Sequence, residues 1–195
     1  MKIVLLGPDG AGKSSVISGL IQKLKPEGYT AKTRHLKPQL VMPQLRDNPN
    51  SVVIDPHGRL PRGVILSLAK IWVWLLEEWY SYLFHEGRET LLICDRYYHD
   101  LLIDPLRYRF GGPLWMARLV GKLMPRPDLW LLLNAPAEVL QGRKQEVASE
   151  ETARQAEAYL TFISKQPRHV IVDASQALDK VIADAEQAII QLLSE

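Results

Sequence analysis

The chain contains a single cysteine, Cys94, among its 195 residues, which excludes an internal disulfide framework and suits a reducing compartment. Its 24 Lys and Arg residues nearly balance its 22 Asp and Glu residues, so it lacks the basic excess typical of nucleic-acid binding. Long uncharged apolar runs are also missing, because the most apolar stretch, Val64–Phe84, contains Lys70, Glu77 and Glu78 and makes a poor membrane span. We therefore expect a cytoplasmic protein with no nucleic-acid partner and no membrane span.

Short apolar runs without polar alternation predict strands that are buried on both faces, as in a parallel sheet. Four such runs are Ile3–Leu6, Leu91–Cys94, Leu129–Leu133 and Val170–Val172. A fifth run, Tyr29–Leu36, is more polar and suits a sheet edge. Helical patterns separate the runs, and the chain has no internal repeat, so we predict one doubly wound α/β domain over residues 1–195.

The sequence GPDGAGKS, from Gly7 to Ser14, fits the Walker A phosphate-binding pattern G-x-x-x-x-G-K-[ST]. It follows a predicted strand and opens a predicted helix, whose first N–H groups can cradle a polyanion. Lys13 supplies a charge for the terminal phosphates, and the Ser14 hydroxyl can ligate Mg²⁺. Room for oxygens near the backbone comes from the three glycines, Gly7, Gly10 and Gly12. The loop therefore predicts binding of a nucleoside triphosphate.

Asp95 and Arg96 directly follow the apolar run Leu91–Cys94. Ligands of open α/β sheets gather at the carboxyl ends of the strands, so Asp95 is expected to face the same crevice as the phosphate loop. A carboxylate there can hold Mg²⁺ or accept a proton, and the arginine can clamp a second anion. Taken alone, the two residues are more typical of a salt bridge at the strand end, but a phosphate loop at a neighbouring strand favours the functional interpretation.

Two further segments carry predictions of their own. The proline-rich stretch 38–63 predicts a long loop, and loops of this length are commonly functional. The segment Val64–Phe84 predicts a helix that is apolar on nearly every face. Such a helix is either wholly enclosed or uses one face on a partner subunit. We predict a homodimer through this helix.

Several of these motifs resemble those of the thymidylate kinase family of P-loop kinases. The loop through Ser15, including the acidic Asp9, is similar to the loop of that family, and Asp95-Arg96-Tyr97 resembles its Asp-Arg-Tyr/Phe motif. The run 127–136 followed by Arg143 resembles its fourth strand and arginine-bearing lid. The run 172–175 resembles its last strand near the adenine. The resemblance implies a three-layer P-loop sandwich with five parallel strands in the order 2-3-1-4-5 and helices on both faces.

The resemblance also implies an ATP- and Mg²⁺-dependent phosphotransferase with a small-molecule phosphate acceptor. Arg96 would grip the acceptor, Asp9 would contact an acceptor hydroxyl, and Arg143 would close over the transferring group. The implied catalytic residues are Lys13, Asp95, Arg96 and Arg143. The implied ATP-binding residues are Gly7, Asp9, Gly10, Ala11, Gly12, Lys13, Ser14, Ser15, Ala174 and Ser175. The implied metal ligands are Ser14 and Asp95.

Residues 38–63 would then be an acceptor-side loop, and residues 141–154 a lid region. Lys144 and Arg154 could assist in the lid, or they could form an exposed basic helix surface. An arginine there would neutralise charge on the transferring phosphoryl group.

The sequence departs from the family where thymine is recognised. The family uses an arginine in the helix before the third strand and an Ala-Tyr-Gln run after Asp-Arg-Tyr. Here residues 69–74 contain no arginine, and Tyr97 is followed by Tyr98-His99-Asp100. Lost polar contacts should change the acceptor and not merely weaken its binding. Candidate acceptor residues are Arg34, His35, Lys37, His57, Arg59, Tyr97, Tyr98, His99, Arg107 and Arg109.

We therefore expect a kinase for a nucleoside monophosphate or a related compound, with a non-standard acceptor pocket. A true dTMP kinase is the nearest alternative. A slow P-loop NTPase that acts as a switch and a membrane-associated kinase, motivated only by the aromatic helix, are more distant alternatives.

Overall fold

A computed structural model of the chain describes residues 1–26, 28–35, 60–84, 90–144 and 147–194. Of the predicted long loop 38–63, residues 38–59 lie outside this set. Within the described part, no helix is long and apolar enough to cross a membrane.

Five parallel strands form one sheet in the order β2-β3-β1-β4-β5. The strands are β1 Lys2–Leu6, β2 Thr30–His35, β3 Thr90–Asp95, β4 Leu129–Asn134 and β5 His169–Asp173. This arrangement confirms the predicted strand order and the predicted edge position of β2. The expectation that Val170–Val172 is buried on both faces is wrong, because β5 forms the other edge and Ile171 is 46% exposed.

Seven helices complete the described secondary structure. They are α1 Lys13–Leu24, α2 Val64–Phe84, α3 Asp100–Ile103, α4 Leu114–Leu123, α5 Ala137–Arg143, α6 Ser149–Ile163 and α7 Leu178–Leu193. The chain divides into two compact units. The first is Met1–His35, Gly87–Tyr97 and Pro127–Glu195, and the second is Leu36–Glu86 and Tyr98–Arg126. The single kinase domain expected over residues 1–195 stays a prediction.

The first unit contains the sheet, with helices on both of its faces. Side chains alternate along a strand, so Leu129 and Leu131 share one face of β4 and pack in a core with α1 and α7. Trp130 points to the other face, where its ring lies 5.2 Å from that of Phe162 in α6. The three-layer sandwich expected from the sequence is therefore confirmed.

The second unit contains α2, α3 and α4. Helix α2 buries one face, which carries Ser67, Ile71, Trp74, Leu75, Glu77 and Glu78. Trp79 donates a hydrogen bond from Nε1 to the carbonyl oxygen of Leu123, 3.0 Å away, at the end of α4. The opposite face of α2 is exposed along a stripe at helical spacing that contains Ile65, Trp72, Leu76, Trp79 and Leu83. Helix α2 is thus not wholly enclosed within this chain.

Candidate active site

The glycine loop connects β1 directly to α1 and leaves the start of the helix open. Gly12, the N-cap residue, has φ 84°, a left-handed conformation that favours glycine. A Cβ atom at Gly12 would meet nothing within 4 Å, so the space beside the backbone is open. No side chain caps the first turn of α1, so its N–H groups face outward with the positive end of the helix dipole. The loop geometry suits an anion.

Lys13 lies inside this loop. Its Nζ donates hydrogen bonds to the carbonyl oxygens of Gly7, 2.6 Å away, and Pro8, 2.8 Å away. The side chain is buried, whereas Ser14 and Ser15 on the following turn are exposed. The ammonium group is therefore held at the loop by carbonyl oxygens, and the Ser14 hydroxyl remains accessible to a ligand.

An ion pair joins the loop to the end of β3. Arg96 Nη2 lies 2.6 Å from Asp9 Oδ1, and both side chains are largely buried. The Arg96 backbone has φ 72°, uncommon for a residue with a side chain. Its N–H donates to the carbonyl oxygen of Leu5 at 3.1 Å. This turn places the guanidinium group against the phosphate loop, so the structure brings together the two motifs that the sequence singled out.

Asp95 ends β3 beside Leu5 and His35, its neighbours in the sheet. Its Oδ2 lies 3.2 Å from His35 Nδ1. Its buried Oδ1 has no hydrogen-bond partner among the described residues. Because a buried carboxylate oxygen without a partner is costly, Oδ1 is suited to receive a cation or a hydroxyl proton from a ligand.

The predicted metal ligands have donor chemistry that is compatible with Mg²⁺. Asp95 and Ser14 would offer the carboxylate and hydroxyl oxygens that Mg²⁺ prefers, and Mg²⁺ in nucleotide sites commonly takes few protein ligands besides phosphates and water. In the described ranges, no three His, Cys, Asp or Glu side chains cluster as an all-protein metal site would require.

Arg143, the predicted lid arginine, is the last residue of α5, and its side chain reaches the turn after β5. Its Nη1 donates to the carbonyl oxygen of Ala174 at 2.7 Å, and the Ala174 N–H donates to the carbonyl oxygen of Asn134 at 2.7 Å. Ser175 donates to Asp173 Oδ1 through both its N–H and its hydroxyl, and these bonds lower the pKa of Asp173. The structure thus brings Arg143 together with Ala174, one of the residues predicted for ATP.

Arg154 and Lys144, the two further lid candidates, have different surroundings. Arg154 forms a hydrogen-bonded pair with Glu151 in α6 at 2.6 Å, and its side chain is half exposed. This favours the exposed helix surface over a lid role for Arg154. Lys144 directly follows α5 and is exposed. Its role in the lid stays a prediction.

Most of the candidate acceptor residues near Asp95 serve packing. Tyr97 stacks edge-on against Trp130, with the ring centroids 5.7 Å apart. Tyr98 donates to the carbonyl oxygen of Ala117 at 2.9 Å, and burial raises its pKa. Burial also lowers the pKa of His99 to about 4, against the opposing hydrogen bond with Gly121. Lys37, His57 and Arg59 lie outside the described residues.

Sequence reasoning missed Asn134. This residue ends β4, and its Oδ1 is buried without a hydrogen-bond partner in the part of the chain that the structure describes. The signal was available, since Asn134 is the first polar residue after the apolar run Leu129–Leu133, just as Asp95 follows Leu91–Cys94. Polar residues at the carboxyl ends of parallel strands belong to the same edge of the sheet.

Curated proteins similar to this chain are thymidylate kinases from several bacteria. The thymidylate kinase of Staphylococcus epidermidis is 28% identical over 208 residues, covering 98% of this chain and 98% of its own length. Those of Lacticaseibacillus casei and Limosilactobacillus fermentum are each 26% identical and cover 99% and 94% of this chain. No family model matches the chain.

Proposed function

We propose, from the similarity of the chain to thymidylate kinases, that it is a P-loop phosphotransferase that transfers the γ-phosphoryl group of ATP to a small-molecule acceptor. The acceptor is a nucleoside monophosphate or a related compound. The motifs in the sequence support a kinase of this type. We propose the acceptor and the roles of the single residues from the site described above.

The observation that carries the proposal is the 2.6 Å contact between Arg96 and Asp9. It places a guanidinium group, the side chain best shaped to bind phosphate or carboxylate in two-point fashion, beside the loop that would hold the triphosphate. A nucleotide switch has no need of such a group, whereas a phosphotransferase needs one to hold the acceptor.

The residues of this site would act by positioning and by neutralising charge, on which phosphoryl transfer mainly depends. The α1 N–H groups and Lys13 would hold the phosphates of ATP. Arg96 would orient the acceptor, and Asp95 Oδ1 would accept a hydrogen bond from the attacking group. Bound Mg²⁺, held by Ser14 and Asp95, would supply charge for the phosphate oxygens. Arg143 would act from its position at the Ala174 turn.

A different acceptor from dTMP is supported by the residues after Asp-Arg-Tyr. Tyr98 and Asp100 are almost fully buried, and the Tyr98 hydroxyl is used by the carbonyl oxygen of Ala117. These side chains are therefore engaged in packing and do not offer polar groups to a base.

A true dTMP kinase is the second candidate. It is favoured by the similar thymidylate kinases, which match almost the whole length of the chain. In that case the base would be recognised by other residues, among them the acceptor candidates outside the described ranges.

We also propose that the protein forms a homodimer through α2. The exposed stripe of that helix includes Ile65, 83% exposed, and Leu76, 68% exposed. Apolar side chains at this density on one helix face mark an interface with another protein. The cytoplasmic location expected from the sequence stays a prediction.

The activity is tested by incubating the full chain with ATP, Mg²⁺ and a panel of nucleoside monophosphates, and by measuring both ADP and the phosphorylated acceptor. We expect turnover with an acceptor other than dTMP. Fast turnover of dTMP alone would favour the second candidate. ATP hydrolysis that no acceptor accelerates would favour the switch.

Two variants separate acceptor chemistry from simple binding. Asp95→Asn keeps the size of the side chain and removes its charge, so it should abolish transfer while leaving the fold intact. Asp128→Asn is the matched control, because Asp128 accepts a hydrogen bond from the Lys2 N–H at the start of β1, away from the strand ends that form the site. Equal activity of the two variants would contradict the role of Asp95.

A further inference from the structure

The second unit contains a lysine in an unusual setting. Lys70 Nζ donates to the carbonyl oxygen of Tyr108 at 3.0 Å. It also lies 4.5 Å from the ring centroid of Trp74 and 5.4 Å from that of Tyr108. The ammonium group is therefore held between two aromatic rings and one carbonyl oxygen, largely out of water. Such a lysine needs negative charge nearby to stay protonated at little cost.

The nearest charges are positive instead. Burial, followed by the charges of Arg62 and Arg109, lowers the pKa of Lys70 to about 8. The two arginines are held in place by the backbone: the Arg62 N–H donates to the carbonyl oxygen of Arg109 at 2.9 Å, and Arg109 Nε donates to that of Leu60 at 3.0 Å. Arg109 has φ 52°, an uncommon conformation for a residue with a side chain.

No carboxylate balances this cluster within the described residues. None of the three cations makes a salt bridge there, and Asp100 contacts the Tyr108 hydroxyl at 3.4 Å. Trp74 adds another donor, because its Nε1 is buried and has no acceptor in the described ranges. The cluster thus presents donors and positive charge, and it has no acidic side chain to satisfy them.

We propose that Arg62, Lys70 and Arg109 form a binding site for an oxyanion group, a phosphate or a carboxylate, on a small molecule. Arginine forks and a lysine ammonium are the side chains that bind such groups most strongly. Bringing three like charges together costs free energy that a bound anion offsets. All three residues belong to the second unit, and the inference rests on contacts within that unit and not on the proposed function.

The indole N–H of Trp74 is a local probe of this site, because Lys70 lies over its ring. In a ¹H–¹⁵N spectrum of the full chain, this signal is identified by its loss in Trp74→Phe. Titration with inorganic phosphate and, separately, with malonate should shift it in a saturable way. The anion that saturates at lower concentration identifies the group as phosphate or carboxylate.

Variants distinguish binding at this cluster from binding elsewhere. Lys70→Met removes the charge and keeps the length of the side chain, and Arg62→Gln provides a second variant that leaves α2 untouched. Each variant should lower the affinity for the anion by about tenfold or more, as expected for loss of one charge-assisted hydrogen bond. Lys122→Met, an exposed lysine of the same unit, is the matched control and should titrate like the wild type.

Phosphate could also bind the glycine loop, so the titration is repeated with Lys13→Met. The anion-induced shift of the Trp74 signal should persist in Lys13→Met, even if this variant no longer binds ATP. The proposal is overturned if neither anion moves the Trp74 signal, if Lys70→Met and Arg62→Gln titrate like Lys122→Met, or if Lys13→Met alone abolishes the shift.

Discussion

Arg96 and Asp9 lie 87 positions apart in the sequence, and their side chains meet at 2.6 Å between Nη2 and Oδ1. The Arg96 backbone has a positive φ of 72°, and its side chain reaches the loop after β1. An arginine held in a sparsely populated backbone conformation at a strand end is typical of a residue kept for function.

Replacing Arg96 with alanine should therefore damage acceptor use more than ATP binding. We expect kcat/KM for the acceptor to fall by about 10²–10³, the usual effect of removing one charge-stabilising donor, while KM for ATP changes little. The control is Arg154→Ala, because Arg154 pairs with Glu151 on an exposed helix surface. Initial rates at varied ATP and acceptor concentrations give both constants. Full activity in Arg96→Ala would contradict the acceptor role of Arg96.

The motifs that sequence reasoning placed correctly are local or depend on a periodic pattern. The glycine loop is defined within eight residues, and Asp95 follows from the end of an apolar strand in a parallel sheet. The placement of Asp95 required only the rule that the carboxyl ends of parallel strands share one edge of the sheet. The position of β2 at an edge followed from its polar composition, because an edge strand is less buried than a central one.

What could not be predicted depends on contacts between distant segments. The hydrogen bond from Arg143 to Ala174 spans 31 positions, so the sequence alone did not reveal it. The setting of Lys70 could not be predicted, because its two aromatic neighbours come from different segments and Tyr108 lies 38 positions away. An apolar run such as 170–172 does not reveal whether it ends as a central or an edge strand.

The Arg143 contact leads to a second prediction. If Arg143 acts from the Ala174 turn, Arg143→Lys should preserve charge but lose the hydrogen bond geometry, because lysine lacks the planar fork of the guanidinium group. We expect a larger effect on KM for ATP in Arg143→Lys than in Lys165→Arg, an exposed position just after α6. Steady-state kinetics at saturating acceptor measure the difference. Equal constants for the two variants would speak against any role of Arg143 in ATP binding.

The exposed stripe of α2 yields a prediction about assembly. Leu76 is 68% exposed, so Leu76→Glu should not disturb the core of either unit, but it would place a charge in an apolar interface. Sedimentation velocity at micromolar protein should show a dimer for the wild type and a monomer for the variant. Ile190→Glu, at an exposed position on α7, should remain dimeric. A monomeric wild type contradicts the predicted homodimer.

His99 predicts a loss of stability in acid. Burial holds its pKa at about 4 in the folded chain, below the ordinary value of 6.5. As pH falls from 6.5 toward 4, the unfolded chain therefore gains a proton that the folded chain does not, and stability declines by up to about 3 kcal/mol. His99→Gln should reduce the dependence of the unfolding free energy on pH between 4 and 6.5. Urea unfolding across the interval measures it, with His169→Gln, an exposed position on β5, as the control. If His99→Gln loses as much stability as the wild type between pH 6.5 and 4, another group is responsible for the loss.

Lys70 predicts a dependence of the same sign at higher pH. Its pKa of about 8 in the folded chain lies below the ordinary 10.5, so below pH 8 both states carry the charge and the folded state bears its cost, about 3 kcal/mol. As pH rises from 8 to 10.5, the folded chain loses the proton first, and stability increases. Lys70→Met should therefore be more stable than the wild type at pH 7, and the difference should vanish above pH 10.5. Inorganic phosphate should raise the stability of the wild type at pH 7 more than that of Lys70→Met, because only the wild type retains the buried charge that the anion neutralises. A variant less stable than the wild type at pH 7 would mean that the hydrogen bond to Tyr108 and the aromatic contacts outweigh the cost of the charge.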